Sequence, residues 1–268
     1  MNLLPATTLS GDNRIHVADL FALCDTLPSG SVDMILCDLP YGTTACKWDQ
    51  VIPFAPMWAR FKRIIKPRGA IVLTASQPFT SALVMSNPNN FKYAWVWVKS
   101  KASNHTNAKI RPMTKHEDVL VFSSGTIANG SGNLMRYYPQ GLKRVDREVY
   151  RPGSKFGGVH HSWGNEKNRY IQEFEGYPHT VLEFPNPNQG SVHPTQKPVA
   201  LFEYLIRTYT QAGELVFDPC VGSGTTAVAC VNTGRRYVCG DQSAEYVAIA
   251  RERVRKAQTE ARQLELIA

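Results

Sequence analysis

The run from Leu215 to Val231 constrains the fold of this chain most. A short apolar strand, Leu215 to Phe217, opens directly onto Asp218-Pro219-Cys220-Val221-Gly222-Ser223-Gly224-Thr225-Thr226, and the helical run Ala227 to Val231 follows. A strand that turns on glycines into a helix start makes a nucleotide site, because glycine lets the backbone approach a ligand closely. Asp218 is an acceptor suited to an ammonium group. A second strand, Arg236 to Gly240, ends at Asp241, and the separation from Gly222 to Asp241 is that of a carboxylate reaching ribose hydroxyls. The glycine turn alone is weak evidence, since a purely structural turn reads the same way; the second carboxylate at this spacing lifts it. No Gly-Lys-Ser/Thr ending of a phosphate loop is present, which argues against ATP or GTP.

The rest of the chain supplies the sheet around this turn. Arg14 to Ala18, Val32 to Cys37 and Ala70 to Ala75 read as buried strands, with helix-like stretches at Leu20 to Thr26 and Pro56 to Ile65. Phe91 to Val98 and Glu117 to Phe122 read as further strands. The rhythm fails from about Ser123 to Gly190, then returns with a helix over Pro198 to Thr210 and a final helix from Ser243 to about Lys256. Such alternation predicts an α/β fold with a doubly wound, mostly parallel sheet covered on both faces. The expected organisation is a catalytic domain in two parts, 1–122 and 191–268, with an inserted lobe at 123–190.

A second motif, Asp38-Leu39-Pro40-Tyr41-Gly42, lies directly after the strand Val32 to Cys37. Carboxyl ends of parallel strands open into a binding crevice, so this is an active-site position. Taken alone the same residues spell an ordinary turn.

Together the two motifs resemble the amino-methylating DNA methyltransferases, whose hallmarks are Asp-Pro-Pro-Tyr and a Phe-x-Gly-x-Gly type of cofactor loop. Here the Asp38 motif precedes the irregular region and the Gly222 loop follows it, an order similar to the permuted β class of that family. His193-Pro194-Thr195-Gln196-Lys197-Pro198 resembles the third hallmark of the class, a segment leading into a helix beside the cofactor. The resemblance spans nearly the whole chain except the lobe. It implies a seven-stranded Rossmann-like methyltransferase sheet, circularly permuted, in which Arg14 to Ala18 lies outside Arg236 to Gly240. It implies S-adenosylmethionine as cofactor, bound by Asp19, Lys197, Asp218, Pro219, Cys220, Gly222, Ser223, Gly224, Thr225, Thr226 and Asp241. For Asp19 the competing reading is a helix cap ahead of Leu20.

The same resemblance implies a mechanism. An exocyclic base amine is a poor nucleophile because its lone pair is delocalised into the ring. Asp38 would accept one amine hydrogen and the backbone carbonyl of Leu39 the other, aiming the lone pair at the methyl-sulfonium. Tyr41 would stack on a base flipped out of double-stranded DNA. Leu39 departs from the family, where proline is usual, although Pro40 still confines it to extended backbone. Aspartate at the first motif position favours N6 of adenine over N4 of cytosine.

Composition agrees with a nucleic-acid partner. The 268 residues carry a net charge of +8, which attracts a polyanion without naming it. The irregular stretch holds Arg136, Lys143, Arg144, Arg147 and Arg151, read as a basic target-recognition lobe whose cations contact DNA; Tyr137, Tyr138 and Trp163 could wedge or stack there. The loop Ser100 to Arg111 reads as a flap on the DNA side, and Trp95 and Trp97 as sheet packing. The six cysteines show no CxxC pair, and His160 and His161 lack matching ligands, so neither a disulfide framework nor a metal site is expected. With no secretory segment or bilayer-length apolar run, the expected location is cytoplasmic. No restriction endonuclease signature is present, so the reading is a methylase alone, either an orphan or one partner of a separate nuclease; similar enzymes are often dimers, which leaves a homodimer open. An RNA or protein amide methyltransferase and a non-catalytic nucleic-acid-binding relative are the rival functions.

Overall fold

The computed structural model describes residues 13–44, 46, 49–150, 169–187 and 196–267. In chain order the elements are β1 (Arg14–Val17), α1 (Leu20–Asp25), β2 (Val32–Asp38), α2 (Phe54–Ile64), β3 (Ile65–Ala75), α3 (Phe79–Ser86), β4 (Phe91–Ser103), β5 (Thr114–Phe122), β6 (Lys143–Tyr150), β7 (Arg169–Glu175), β8 (Val181–Phe184), α4 (Val199–Tyr209), β9 (Leu215–Asp218), α5 (Thr225–Thr233), β10 (Arg236–Asp241) and α6 (Ala244–Ile267). Among the described residues the main sheet has eight strands in the order β1-β10-β9-β2-β3-β5-β4-β8. The pairs from β1 to β3 are parallel, β5 runs antiparallel to β3 and β4, and β8 is parallel to β4.

The central strands are apolar on both faces because both faces are covered. Met34, Ile35, Leu36 and Cys37 of β2 are all fully buried, as parallel strands between two helix layers require. One core cluster joins Met34, Leu36 and Val72 to Leu205, Ala227 and Val247, from α4, α5 and α6. The other joins Ile35, Cys37 and Leu73 to Leu23, Phe61 and Leu83, from α1, α2 and α3. Trp95 and Trp97 are sheet packing as expected: Trp95 donates its indole N–H to Tyr209 Oη at 2.7 Å and Trp97 to the Phe184 carbonyl at 2.9 Å.

Among the described residues the first strand pairs with the last, Arg14 against Val238 and Val17 against Asp241, which is the placement the permuted reading expects. The strand count differs from seven. The extra strand is β8, whose Val181 to Phe184 pair with Val96 to Lys99 of β4, so part of the stretch assigned to the lobe belongs to the catalytic sheet. The chain accordingly divides into a large unit, Met1–Tyr138 with Thr180–Ala268, and a smaller one, Pro139–His179. The smaller unit contains the antiparallel pair β6 and β7. α3 escapes sequence reading because a short apolar run after a proline carries no clear period.

Arg136 corrects the expectation placed on it. Its guanidinium lies 2.7 Å from Asp33 and 2.5 Å from Glu214, and Lys66 reaches the same Asp33 oxygen at 2.6 Å. Burial alone would raise the Asp33 pKa. Hydrogen bonds from Lys66, the Leu215 N–H and Arg136 outweigh it and hold the carboxyl below its ordinary range. Asp33 and Glu214 stand at the starts of β2 and β9, the sheet edge opposite to Asp38 and Asp218. Arg136 is therefore a structural tie. Tyr137 and Tyr138 stay near α4, with the Tyr137 ring 6.3 Å from that of Tyr209 and the Tyr138 N–H on the Thr208 carbonyl.

Candidate functional site

The carboxyl ends of the parallel strands surround a crevice of about 1670 Å³. Asp38, Leu39, Pro40 and Tyr41 line it together with Asp218, Pro219, Cys220, Gly222, Ser223, Thr225, Thr226 and Asp241. Two motifs about 180 residues apart in sequence thus meet, because β2 and β9 are neighbouring parallel strands whose ends open on the same side.

On the glycine-turn side, each polar group has a local partner that sets the backbone. Gly222 has φ of +50°, a conformation that glycine adopts without strain, and its N–H donates to Asp241 Oδ2 at 3.0 Å. Asp241 Oδ1 accepts from the Ser243 N–H at 2.9 Å. Asp218 is 2% exposed and accepts from the Cys220 N–H at 3.0 Å and from the Thr226 hydroxyl. Burial pushes its pKa up to about 7, against the pull of hydrogen bonds from Thr226, Cys220 and Cys37. All three donors are neutral, so a cationic ligand fits this carboxylate. Ser223 is held by Gln196 at 3.2 Å and by Arg253, whose guanidinium lies 2.9 Å from its hydroxyl.

On this side of the crevice, Gly224 and Asp19, both expected to touch cofactor, also have structural contacts of their own. A Cβ on Gly224, where φ is +93°, would come within 2.8 Å of Ala250 Cα; this glycine serves close packing of the turn against α6. Asp19 lines the crevice but spends Oδ1 on the Phe21 and Ala22 N–H groups at 2.8 and 3.0 Å, capping α1.

On the Asp38 side the carboxylate is gripped from several elements. Oδ1 accepts from the Tyr41 hydroxyl at 2.8 Å and from the Thr74 hydroxyl of β3. Oδ2 accepts from Lys197 Nζ at 2.6 Å. Lys197 is 6% exposed, lies 3.3 Å from Glu117 of β5, and Glu117 in turn pairs with Lys99 of β4 at 2.5 Å. Burial by itself would lower the Lys197 pKa; Asp38 and Glu117 outweigh it and hold the ammonium above its usual value. Lys197, expected on the cofactor, instead faces the motif carboxylate. Burial raises the Tyr41 phenol well above its ordinary value, Asp38 and Glu117 adding to the shift, so it remains a neutral donor. Its ring stacks on Phe79 with centroids 5.2 Å apart. The segment after Gly42 is shaped by Asp49, which accepts from the Gly42, Thr43 and Thr44 N–H groups at 2.7 to 2.9 Å. Leu39 is 3% exposed and part of the core, so an aliphatic side chain stands where the resemblance leads one to expect proline.

Thr74, Phe79, Asp49, Lys99 and Glu117 escaped sequence reading. Only Glu117 carried a usable signal, a charge inside an otherwise strand-like run beside the apolar Val119 to Phe122. Of the proposed DNA contacts, Lys143, Arg144 and Arg147 stand on β6, while Arg151, His160, His161, Trp163 and the segment from His193 to Thr195 lie outside the described residues.

A crevice that joins a nucleoside-type glycine turn to a strand-end carboxylate motif defines a cofactor-dependent group-transfer enzyme of the doubly wound α/β class. The DNA methylase family, of the N6 and N4 type, matches residues 32–252, and the chain belongs to it as a DNA methyltransferase. Type II methyltransferase M.HpaI of Haemophilus parainfluenzae is 27% identical over 256 residues, covering 91% of this chain and 74% of that protein. DNA adenine methyltransferase YhdJ of Escherichia coli (strain K12) is 25% identical over 263 residues, covering 90% and 81%. The structure of PvuII DNA methyltransferase, cytosine-N4-specific, aligns with a TM-score of 0.61 at 17% identity over 93% of this chain and 88% of that one, a likeness of fold. Among the described residues no helix is long and apolar enough to cross a membrane.

Proposed function

We propose that the chain methylates the exocyclic N6 of adenine in a specific double-stranded DNA sequence, acting on a base swung out of the duplex. When bound, S-adenosylmethionine supplies an electrophilic methyl group on a sulfonium. Asp218 and Asp241 would hold it by its ammonium and ribose, with Pro219, Cys220, Gly222, Ser223, Thr225 and Thr226 forming the turn around it and Asp19 at its margin.

The other side of the crevice works on the nucleophile. Asp38 accepts one hydrogen of the target amine and the Leu39 carbonyl the other, which localises the nitrogen lone pair. Pro40 keeps Leu39 extended, so that its carbonyl oxygen holds one direction. Lys197 and Thr74 fix the Asp38 carboxylate so that little reorganisation is left to the reaction. Phe79 stacks on Tyr41 and Lys197 Nζ stands 5.6 Å from the ring centroid, and the flipped base packs against the tyrosine so held. Lys143, Arg144, Arg147 and Arg151 would contact DNA from the inserted unit.

The observation that carries this reading is the shared crevice, with Asp38 tied to Lys197 at 2.6 Å and Asp218 on its wall. Incubation of duplex DNA with methyl-labelled cofactor, followed by digestion to nucleosides, tests it. N6-methyladenine supports the proposal. N4-methylcytosine assigns the second reading, since the same carboxylate and carbonyl can grip either amine, and unlabelled DNA overturns both.

A further inference from the structure

The largest run of unpaired positive charge among the described residues is not on β6 and β7. It lies where β4 turns into β5. From Ser100 to His116 the chain has no acidic residue, yet it holds Lys101, Lys109, Arg111 and Lys115, all exposed. Among the described residues these four have no acidic partner, and the nearest ion pair, Lys99 with Glu117, lies at the foot of the hairpin.

The hairpin is built to a definite shape. Asn104 sits at φ +69° and donates its side-chain amide to Thr114 Oγ1 at 2.9 Å, across the base of the turn. At the tip, the Ile110 and Arg111 N–H groups both reach the Asn107 carbonyl at 3.0 Å. The same segment borders the crevice, which Asn104, Arg111 and His116 line together with Tyr41 and Asp38.

In the described part of the inserted unit the arginines, unlike these four cations, have acidic partners. Arg144 pairs with Asp146 at 2.7 Å, Arg147 with Glu175 at 3.7 Å and Arg169 with Glu148 at 3.5 Å. A cation already neutralised by a carboxylate releases fewer counterions on meeting a phosphate than a free one. Exposed cations that have no acidic partner, on a hairpin that reaches the crevice through Arg111, have the placement of a phosphate clamp.

We propose that the β4–β5 hairpin is the principal phosphate-contacting surface for duplex DNA, holding the backbone beside the crevice through Lys101, Lys109, Arg111 and Lys115. This rests on the DNA-methylating reading and adds to it which surface the duplex meets. The full chain is titrated against a fluorescent DNA duplex of mixed sequence over a range of salt concentrations, and compared with a variant carrying Lys101→Gln, Lys109→Gln, Arg111→Gln and Lys115→Gln. The slope of log affinity against log salt is expected to fall by roughly 0.9 for each phosphate that the variant no longer neutralises, about three to four in all. Lys101→Arg with Lys109→Arg should keep the slope, and Arg144→Gln with Arg169→Gln should lower it by less than the fourfold variant does.

Cofactor binding, measured by calorimetry, should be the same in all of these proteins, because none of the substituted groups holds it. An unchanged slope in the fourfold variant overturns the proposal, as does a larger fall on substituting the paired arginines. A duplex RNA bound as tightly as DNA, with the same fall in slope, overturns the assignment to DNA. Methylation by the wild-type chain is followed separately. If it methylates DNA while the slope stays unchanged, only the hairpin assignment fails. If the slope falls but no DNA is methylated, the hairpin stands as a nucleic-acid surface and the catalytic reading fails.

Discussion

Asp38 carries the proposed chemistry, and its neighbours decide how well it can do so. Asp38→Ala should lower kcat by at least about a hundredfold while leaving cofactor affinity largely intact, because the missing acceptor acts on the target amine alone. Lys197→Met should lower kcat by about tenfold to a hundredfold with little change in KM for DNA, since the carboxylate stays but loses the ammonium that fixes its direction. Lys197→Arg should recover part of the activity, and steady-state kinetics against calorimetric cofactor binding separates these effects.

At Asp218 the sign of a pH effect can be worked out. Its pKa is pushed up to about 7 by burial. It is mostly protonated near about pH 6 and mostly ionised near about pH 8, and a cationic cofactor prefers the ionised form. Affinity for S-adenosylmethionine should therefore rise about tenfold across that interval and level off above it. Isothermal calorimetry in buffers of different ionisation enthalpy should show proton release on binding near the lower end; a flat affinity would remove Asp218 as the partner of the ammonium.

Among the elements, the strand–turn–helix from β9 into α5 was legible because glycines, an apolar strand and a helical run follow one another within a few residues. What the turn packs against was not legible. Gly224 answers to α6, where an added Cβ would meet Ala250 at 2.8 Å. Gly224→Ala should destabilise the protein by about 1–3 kcal/mol through a strained φ and a backbone clash, seen as a lower Tm. β8 was assigned to the lobe because four residues between turns carry no period, and only pairing with β4 identifies them as sheet. Asp19 shows the limit from the other direction. A carboxylate one position ahead of a helix reads equally as cap and as ligand, and the structure gives it the cap's hydrogen bonds while leaving it on the crevice wall.

For the molecule as a whole, the distribution of charge matters more than its total. The net +8 pointed to a polyanion, but the segment read as a basic lobe is balanced where it is described: Arg136, Lys143, Arg144, Arg147 and Arg169 stand against Asp146, Glu148, Glu173, Glu175 and Glu183. The chain enters and leaves the small unit side by side, since an added Cβ at Gly176 would lie 2.8 Å from the Gly141 carbonyl oxygen. Replacing 142–175 by a short glycine turn should leave the large unit folded and able to bind cofactor, while abolishing methylation at the preferred sequence. Calorimetry and a labelled-methyl assay on the same preparation check both halves of that expectation.

The sequence by itself determined the alternation of strands and helices, the two motifs and their order, because these depend on local periodicity and on residues a few positions apart. The tertiary structure alone decided that Lys197 grips Asp38, that Arg136 ties Asp33 to Glu214, and that the cations of the β4–β5 hairpin stand apart from any carboxylate among the described residues. Such pairs are separated by tens to hundreds of residues, and a charge shows no sign of its partner until the sheet has placed both side by side.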